Sequence, residues 1–315
     1  MGYIFDAMNQ AGQAGNEPQP TPREQPQADP PNQPDEPAPA IPHPAAVASP
    51  SSEETRFDAY AADDAQLVSL PQSSQTDQPD ERLVALTDPA SIMAEEYRSI
   101  RTSLLAKWQQ QRHLVHVITS ATPQEGKTIT SLNLGLSLAE LRNRRTIVLE
   151  ADLRLPTFDS LLPLEPTPGL IGYLRGQASL REVIQTVGDH KLTVISAGGR
   201  ANNESVQLLS SPRMSQLLSQ LRQEYDHVII DTPPVIDLAD AGILGAMSDG
   251  VLLIARMGRT PRTLIDRAIR TLTSYNAPVC GVIATDQKRL GRKYYYYRYG
   301  YRYGYHYGYH AGDAK

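Results

Sequence analysis

Thr119-Ser-Ala-Thr-Pro-Gln-Glu-Gly-Lys-Thr128 decides how this chain is read. An apolar run precedes it at 114–119, and a helical pattern opens at its end and runs to about residue 142. A strand, a loop closing in Gly-Lys-Thr and a helix make the context of a phosphate-binding loop. In such a loop, backbone N–H groups surround the phosphates and the helix N-terminus adds a favourable partial charge. The expected lining is Pro123, Gln124, Glu125, Gly126, Lys127, Thr128 and Ile129. Gly126 would allow close backbone approach, Lys127 would neutralise β- and γ-phosphate oxygens, and the Thr128 hydroxyl would coordinate Mg²⁺. Ala121 stands where the first glycine of the motif is usual.

Two neighbouring stretches share the same design. Residues 225–234, Tyr-Asp-His-Val-Ile-Ile-Asp-Thr-Pro-Pro, form an apolar strand ending in Asp231, whose carboxylate can hold Mg²⁺ through its water shell. Alone, Asp231 could merely open a turn. Residues 146–156, Thr-Ile-Val-Leu-Glu-Ala-Asp-Leu-Arg-Leu-Pro, form a second strand ending in acids. Glu150 and Asp152 are two apart and share a side if the strand continues, so they repel unless a metal or Arg154 offsets the charge. Further apolar runs at 192–195, 251–255 and 279–284 alternate with helical patterns at 178–187, 204–223, 239–247 and 261–275. The alternation predicts an α/β P-loop NTPase with a mostly parallel sheet, helices on both faces, and the site along the strands' C-terminal edge.

Composition sets the periphery. The chain has 315 residues and a net charge of −5, which weighs against general nucleic-acid binding. Residues 13–88 are rich in Pro, Gln, Ala and acids, too poor in apolar groups to offset ordering entropy, and are expected to be a disordered linker. Residues 1–12 read either as a frayed terminus or as a short docking helix with Ile4, Phe5 and Met8 on one side. Met1-Gly2 opens like an acylation signal, but Asp6 stands where Ser or Thr is wanted. No apolar run approaches the ~20 residues of a membrane helix, and the single Cys280 excludes an internal disulfide. A cytoplasmic protein reaching the inner membrane through a partner is expected. The helical pattern from Pro89 to Leu105 opens the folded domain, expected at 89–286.

The tail, 287–315, carries Tyr294, Tyr295, Tyr296, Tyr297, Tyr299, Tyr301, Tyr303, Tyr305, Tyr307 and Tyr309, interleaved with glycines and basic residues. With no aliphatic residue in the tyrosine-rich stretch to build a core, it reads as a flexible arm. A Tyr/Gly/Arg arm can stack on single-stranded RNA or serve as a kinase substrate.

These motifs resemble those of the bacterial tyrosine kinases of capsule and exopolysaccharide synthesis, which are deviant Walker P-loop ATPases related to the cell-division and partition ATPases. The resemblance runs from residue 88 to 285 and includes the tail. Ser120, Pro123, Glu125, Gly126, Lys127 and Thr128 match the family's P-loop. Asp152, Arg154 and Pro156 match its second acidic motif, and 229–234 match its Walker B segment. Glu95, Arg98 and Arg101 match a Glu-x-x-Arg-x-x-Arg helix used in ring assembly. Three positions depart: Glu150 replaces an Asp, Gln124 replaces a glycine, and Thr285 stands where Asn is frequent near the base.

The resemblance implies ATP and Mg²⁺ as cofactors, with Lys127, Asp152, Glu150 and Asp231 as catalytic candidates. Thr128, Asp152 and Asp231 would hold the metal, and Arg154 would join the nucleotide contacts. It implies autophosphorylation of the tail between copies in a ring-like homo-oligomer. The implied partners are a transmembrane chain-length activator and a cognate tyrosine phosphatase, with no nucleic acid. A partition-type ATPase switch and a non-catalytic ATP-binding regulator are the alternatives.

Overall fold

The computed structural model describes residues 76–108, 111–188 and 192–286. The docking-helix and linker expectations for 1–75 and the tyrosine tail at 287–315 lie outside the described residues.

Among the described residues seven strands form one sheet: β1 (Leu114–Ser120), β2 (Thr146–Glu150), β3 (Gln185–Val187), β4 (Leu192–Ile195), β5 (His227–Asp231), β6 (Gly250–Arg256) and β7 (Val279–Thr285). Their spatial order is β3-β4-β2-β5-β1-β6-β7. Every pairing is parallel except β3 with β4. Successive side chains of a strand point to opposite faces, and both faces are buried. Val115, Val117, Ile147, Leu149, Val228, Ile230, Val251 and Leu253 belong to one core; Ile118, Val148, Ile229, Leu252 and Ile254 belong to the other. Burial on both faces is why these strands read as continuous apolar runs rather than alternating ones.

The helices are α1 (Val84–Thr87), α2 (Ile92–Lys107), α3 (Lys127–Ala139), α4 (Phe158–Leu161), α5 (Gly169–Leu174), α6 (Leu180–Val183), α7 (Ser205–Leu209), α8 (Pro212–Glu224), α9 (Asp240–Ala246) and α10 (Arg262–Ser274). α1, α2 and α3 supply Ala85, Tyr97, Ile100 and Leu132 to the second core, whereas α5, α8, α9 and α10 supply the first. α2 starts at Ser91, whose side chain accepts from the Ala94 amide and so satisfies one of the free N-terminal donors.

Three expectations need correction. The folded part starts before residue 88. Leu83 and Ala85 are buried, and Asn133 of α3 donates to the Arg82 carbonyl at 2.9 Å while accepting from the Ala85 amide at 2.9 Å. The helix expected over 178–187 stops at Val183, and its last residues become β3 on the sheet edge. The helix expected over 204–223 is two helices. Ser211 caps the second through the Met214 amide, with Pro212 in the first turn, where a missing N–H does no harm.

Two histidines lie inside this sheet. His116 on β1 and His227 on β5 are buried, and no ring nitrogen of either has a hydrogen-bond partner. His116 meets Trp108 edge-on, with ring centroids 4.6 Å apart. Burial, and then the neighbouring His227, push His116 down to about 3. Burial, and then Arg144, push His227 down to about 4. The unfolded chain therefore takes up protons that the fold refuses. The stability at stake is present above the unfolded value of about 6.5 and is lost as pH falls from there toward the folded values. His116→Phe keeps a ring against Trp108 without the titrating group. It is expected to gain on the wild type by about 2 kcal/mol between about pH 7.5 and about pH 5, read as the change in the difference of urea midpoints. A pH-independent difference would refute a neutral buried His116.

Candidate nucleotide site at the sheet edge

The register that places Asp231 opposite both Ile118 and Glu150 brings the C-terminal ends of β1, β5 and β2 side by side. The P-loop springs from β1 at that edge. Gly126 caps α3 with φ of 96°, a left-handed conformation that disfavours a side chain, and no side chain caps the helix start by a hydrogen bond. The first-turn amides of α3 are thus left for an anion. Gln124 also has a positive φ, of 61°. The loop holds its glycine-like shape with a bulkier residue, and Arg259 Nη2 donates to the Gln124 side-chain oxygen at 3.4 Å. Pro123 and Gln124 are exposed, and Ile129 is half-buried.

Glu125 ties the loop to the far side of the sheet. Its Oε1 accepts from the Thr122 hydroxyl at 2.6 Å and from Thr260 at 2.7 Å. Its carbonyl accepts from the Thr285 hydroxyl at 2.9 Å. Thr285, which departs from the family pattern, therefore braces the P-loop. Arg256 joins the same region to the end of the described chain through its ion pair with Asp286 at 2.9 Å.

Thr128 donates to Asp231 Oδ2 at 2.8 Å, and Ser131, one turn on, lies 2.9 Å from Oδ1. Lys127 is only 9% exposed and lies within electrostatic reach of both Asp231 and Asp152. Burial pushes Asp231 up to about 7, against the pull of Lys127, Thr128 and Ser131. Burial also raises Asp152, opposed by the Leu155 amide and Lys127. Asp152 Oδ1 accepts from the Leu155 amide at 3.0 Å, which fixes its loop.

Glu150 behaves differently. Its Oε1 accepts from the amides of Thr157 and Phe158, the latter at 2.7 Å, and its Oε2 from Ala197 at 2.9 Å. Burial pushes it up to about 8 despite those three amides. Both its oxygens are committed to backbone, so it joins β2 to the start of α4 and to the loop after β4.

This set suits a hard divalent cation. Thr128, Asp231 and Asp152 offer only oxygens, and Asp231 and Asp152 are both raised by burial. Among the described residues no group of three or more His, Cys, Asp or Glu is arranged to hold a metal ion by itself. A cation here would draw part of its coordination from phosphate and water, the usual way of Mg²⁺.

Arg154 is engaged within the chain. It donates to the Asn202 carbonyl at 2.9 Å and pairs with buried Asp240 at 3.3 Å, and Asp240 also binds Ser205. Of the Glu-x-x-Arg-x-x-Arg residues, Arg98 and Arg101 both reach Glu140 at the end of α3, at 2.7 and 2.8 Å. Glu95 touches Arg98 at 3.1 Å and is 59% exposed. No motif in the sequence marks Ser131, Glu140, Thr260 or Arg256. Only Ser131 left a signal there, since it lies three residues after Thr128 and so on the same helix face.

A family model described as an AAA domain matches residues 121–265. Tyrosine-protein kinase YwqD of Bacillus subtilis (strain 168) is 35% identical over 211 residues, covering 67% of this chain and 87% of the relative. Succinoglycan biosynthesis transport protein ExoP of Rhizobium meliloti (strain 1021) is 32% identical over 221 residues, again 67% of this chain but 28% of the relative. The kinase domain of Escherichia coli tyrosine kinase ETK superposes with a TM-score of 0.62 at 31% identity, covering 67% of this chain and 81% of that one. With its Gly-Lys-Thr loop, two acidic strand ends and parallel sheet, this chain belongs to the bacterial tyrosine-protein kinases, built on a nucleotide-binding P-loop.

Proposed function

We propose that the chain transfers the γ-phosphoryl group of ATP to tyrosine hydroxyls in the tail of another copy, and that this regulates exopolysaccharide assembly. The observation carrying the reading is the juxtaposition of Lys127, Thr128 and Asp231 at the open start of α3.

In this mechanism the amides around Gly126 bind the phosphates and Lys127 neutralises their β and γ oxygens. Thr128, Asp231 and Asp152 would hold Mg²⁺, which would supply charge neutralisation on the triphosphate. The phenol oxygen bonds to the γ-phosphorus as the bond to the β–γ bridging oxygen breaks, and ADP leaves. The phenol proton passes to Asp152, the acid of the pair whose oxygens are not both held by backbone amides. Glu150 instead shapes the loop that presents Asp152. Catalysis is mainly positioning and charge compensation.

Each phosphotyrosine adds roughly −1.5 to −2 charge at neutral pH, so a few reverse the sign of the basic tail and loosen a ring of copies. Exposed Glu95 is the member of its motif that faces a neighbour, while Arg98 and Arg101 are held by Glu140. The transmembrane activator, the phosphatase and attachment to the inner membrane through that activator belong to the same proposal. The name of ExoP, a succinoglycan biosynthesis transport protein, favours a partner in polysaccharide transport. Among the described residues no helix is long and apolar enough to cross a membrane.

Mixing tests the transfer between copies. A full-length Lys127→Met chain, incubated with ATP, Mg²⁺ and a wild-type chain truncated after Asp286, is expected to acquire phosphotyrosine that neither partner acquires alone. An unlabelled Lys127→Met chain in the mixture, while the wild-type full chain labels itself, would refute it.

A further inference from the structure

Ser131 sits at the bottom of the site, fully buried, one helical turn beyond Thr128. Its hydroxyl lies 2.9 Å from Asp231 Oδ1 and 3.0 Å from the Lys127 carbonyl. Thr128 takes the other carboxylate oxygen at 2.8 Å. A serine hydroxyl carries one proton, so it serves one of these acceptors at a time, and an ionised carboxylate is the stronger. Residues three apart on a helix share a face. α3 thus presents two hydroxyls in a row to the strand end, one for each oxygen of Asp231.

We propose that Ser131 is a positioning residue for Asp231: by holding Oδ1 it fixes the plane of the carboxylate, so that Oδ2 and the Thr128 hydroxyl face the loop as a preformed Mg²⁺-binding edge. The inference rests on the Mg²⁺–nucleotide reading of the site. Ser131 itself touches neither metal nor nucleotide. Its effect passes through Asp231, as outer partners of metal-binding carboxylates generally act. Without Ser131, Oδ1 is left buried with no donor and the carboxylate is free to turn about its Cβ–Cγ bond.

The test uses the full chain and a fluorescent, non-hydrolysable ATP analogue, with binding followed as MgCl₂ is raised. Ser131→Ala removes the hydroxyl and favours the helix. Ser131→Thr and Ser131→Val add the same bulk and differ in the hydroxyl. The Mg²⁺ concentration for half-maximal analogue binding is expected to rise roughly 10-fold or more in the alanine and valine forms and to stay near the wild-type value in the threonine form. Binding in EDTA and the melting temperature serve as controls, and binding in EDTA is expected to be the same in all four chains. Unchanged Mg²⁺ dependence in the alanine and valine forms overturns the role of Ser131 alone, as does equal impairment in the threonine and valine forms. Analogue binding by the wild type that ignores Mg²⁺ overturns the metal reading itself, and Ser131's role with it.

Discussion

Lys127→Met is expected to lower tyrosine phosphorylation by at least roughly 10²–10³-fold, with the chain still folded. Methionine keeps the unbranched stem that lies buried at the first position of α3 and removes only the ammonium group. That group is the cation acting on both Asp231 and Asp152. Its loss leaves the phosphates without their charge partner and lets both carboxyls hold a proton more readily, which weakens their grip on a metal ion. The measurement is phosphotyrosine formed by the purified variant with ATP and Mg²⁺, beside a tail-deleted control and a melting curve. Persistent phosphotyrosine in a folded Lys127→Met chain would dismiss the P-loop as the catalytic centre.

The sheet was legible because its strands are buried on both faces and its helices amphipathic, so apolar runs marked them directly. The site was legible because the P-loop and two strand-terminal acids are local signals tied to strand ends. What escaped was tertiary. Leu83, Val84, Ala85 and Leu86 make an apolar run too short to show periodicity within a polar, Pro-bearing stretch; only their docking on Asn133 reveals a folded segment. Leu180, Val183, Ile184 and Val187 follow helical spacing, yet the β-branched end of that run pairs with β4. Glu140 is a helix-end acid outside any motif, and its two arginines come from 39 and 42 residues away. The acids at 150 and 152 looked equivalent because spacing places them on one side without saying which one the backbone engages.

That last ambiguity yields the second large effect, on stability for one acid and on chemistry for the other. Glu150→Ala removes the acceptor of three backbone amides at once. The Phe158 and Ala197 bonds are buried and the Thr157 bond only partly so; a buried donor left without a partner costs about 1–3 kcal/mol, so the variant is expected to lose at least about 2 kcal/mol, a sizeable share of a domain's usual 5–15 kcal/mol or so. Glu150→Gln can still accept from Thr157 and Phe158 but turns an N–H toward the Ala197 amide, and is expected to lose about 1–3 kcal/mol. Asp152→Asn keeps the oxygen that accepts from Leu155 and should melt near the wild type. It loses the base for the phenol proton, for an expected drop in phosphorylation rate of roughly 10²–10⁴-fold. Urea midpoints and single-turnover phosphorylation on the same preparations separate the two acids. A Glu150→Gln chain as stable as wild type but inert, beside an active Asp152→Asn chain, would reverse the assignment. Such a result would mean that the three amides on Glu150 yield when nucleotide binds, and that the acid nearer the strand, rather than the one on the loop, meets the substrate hydroxyl.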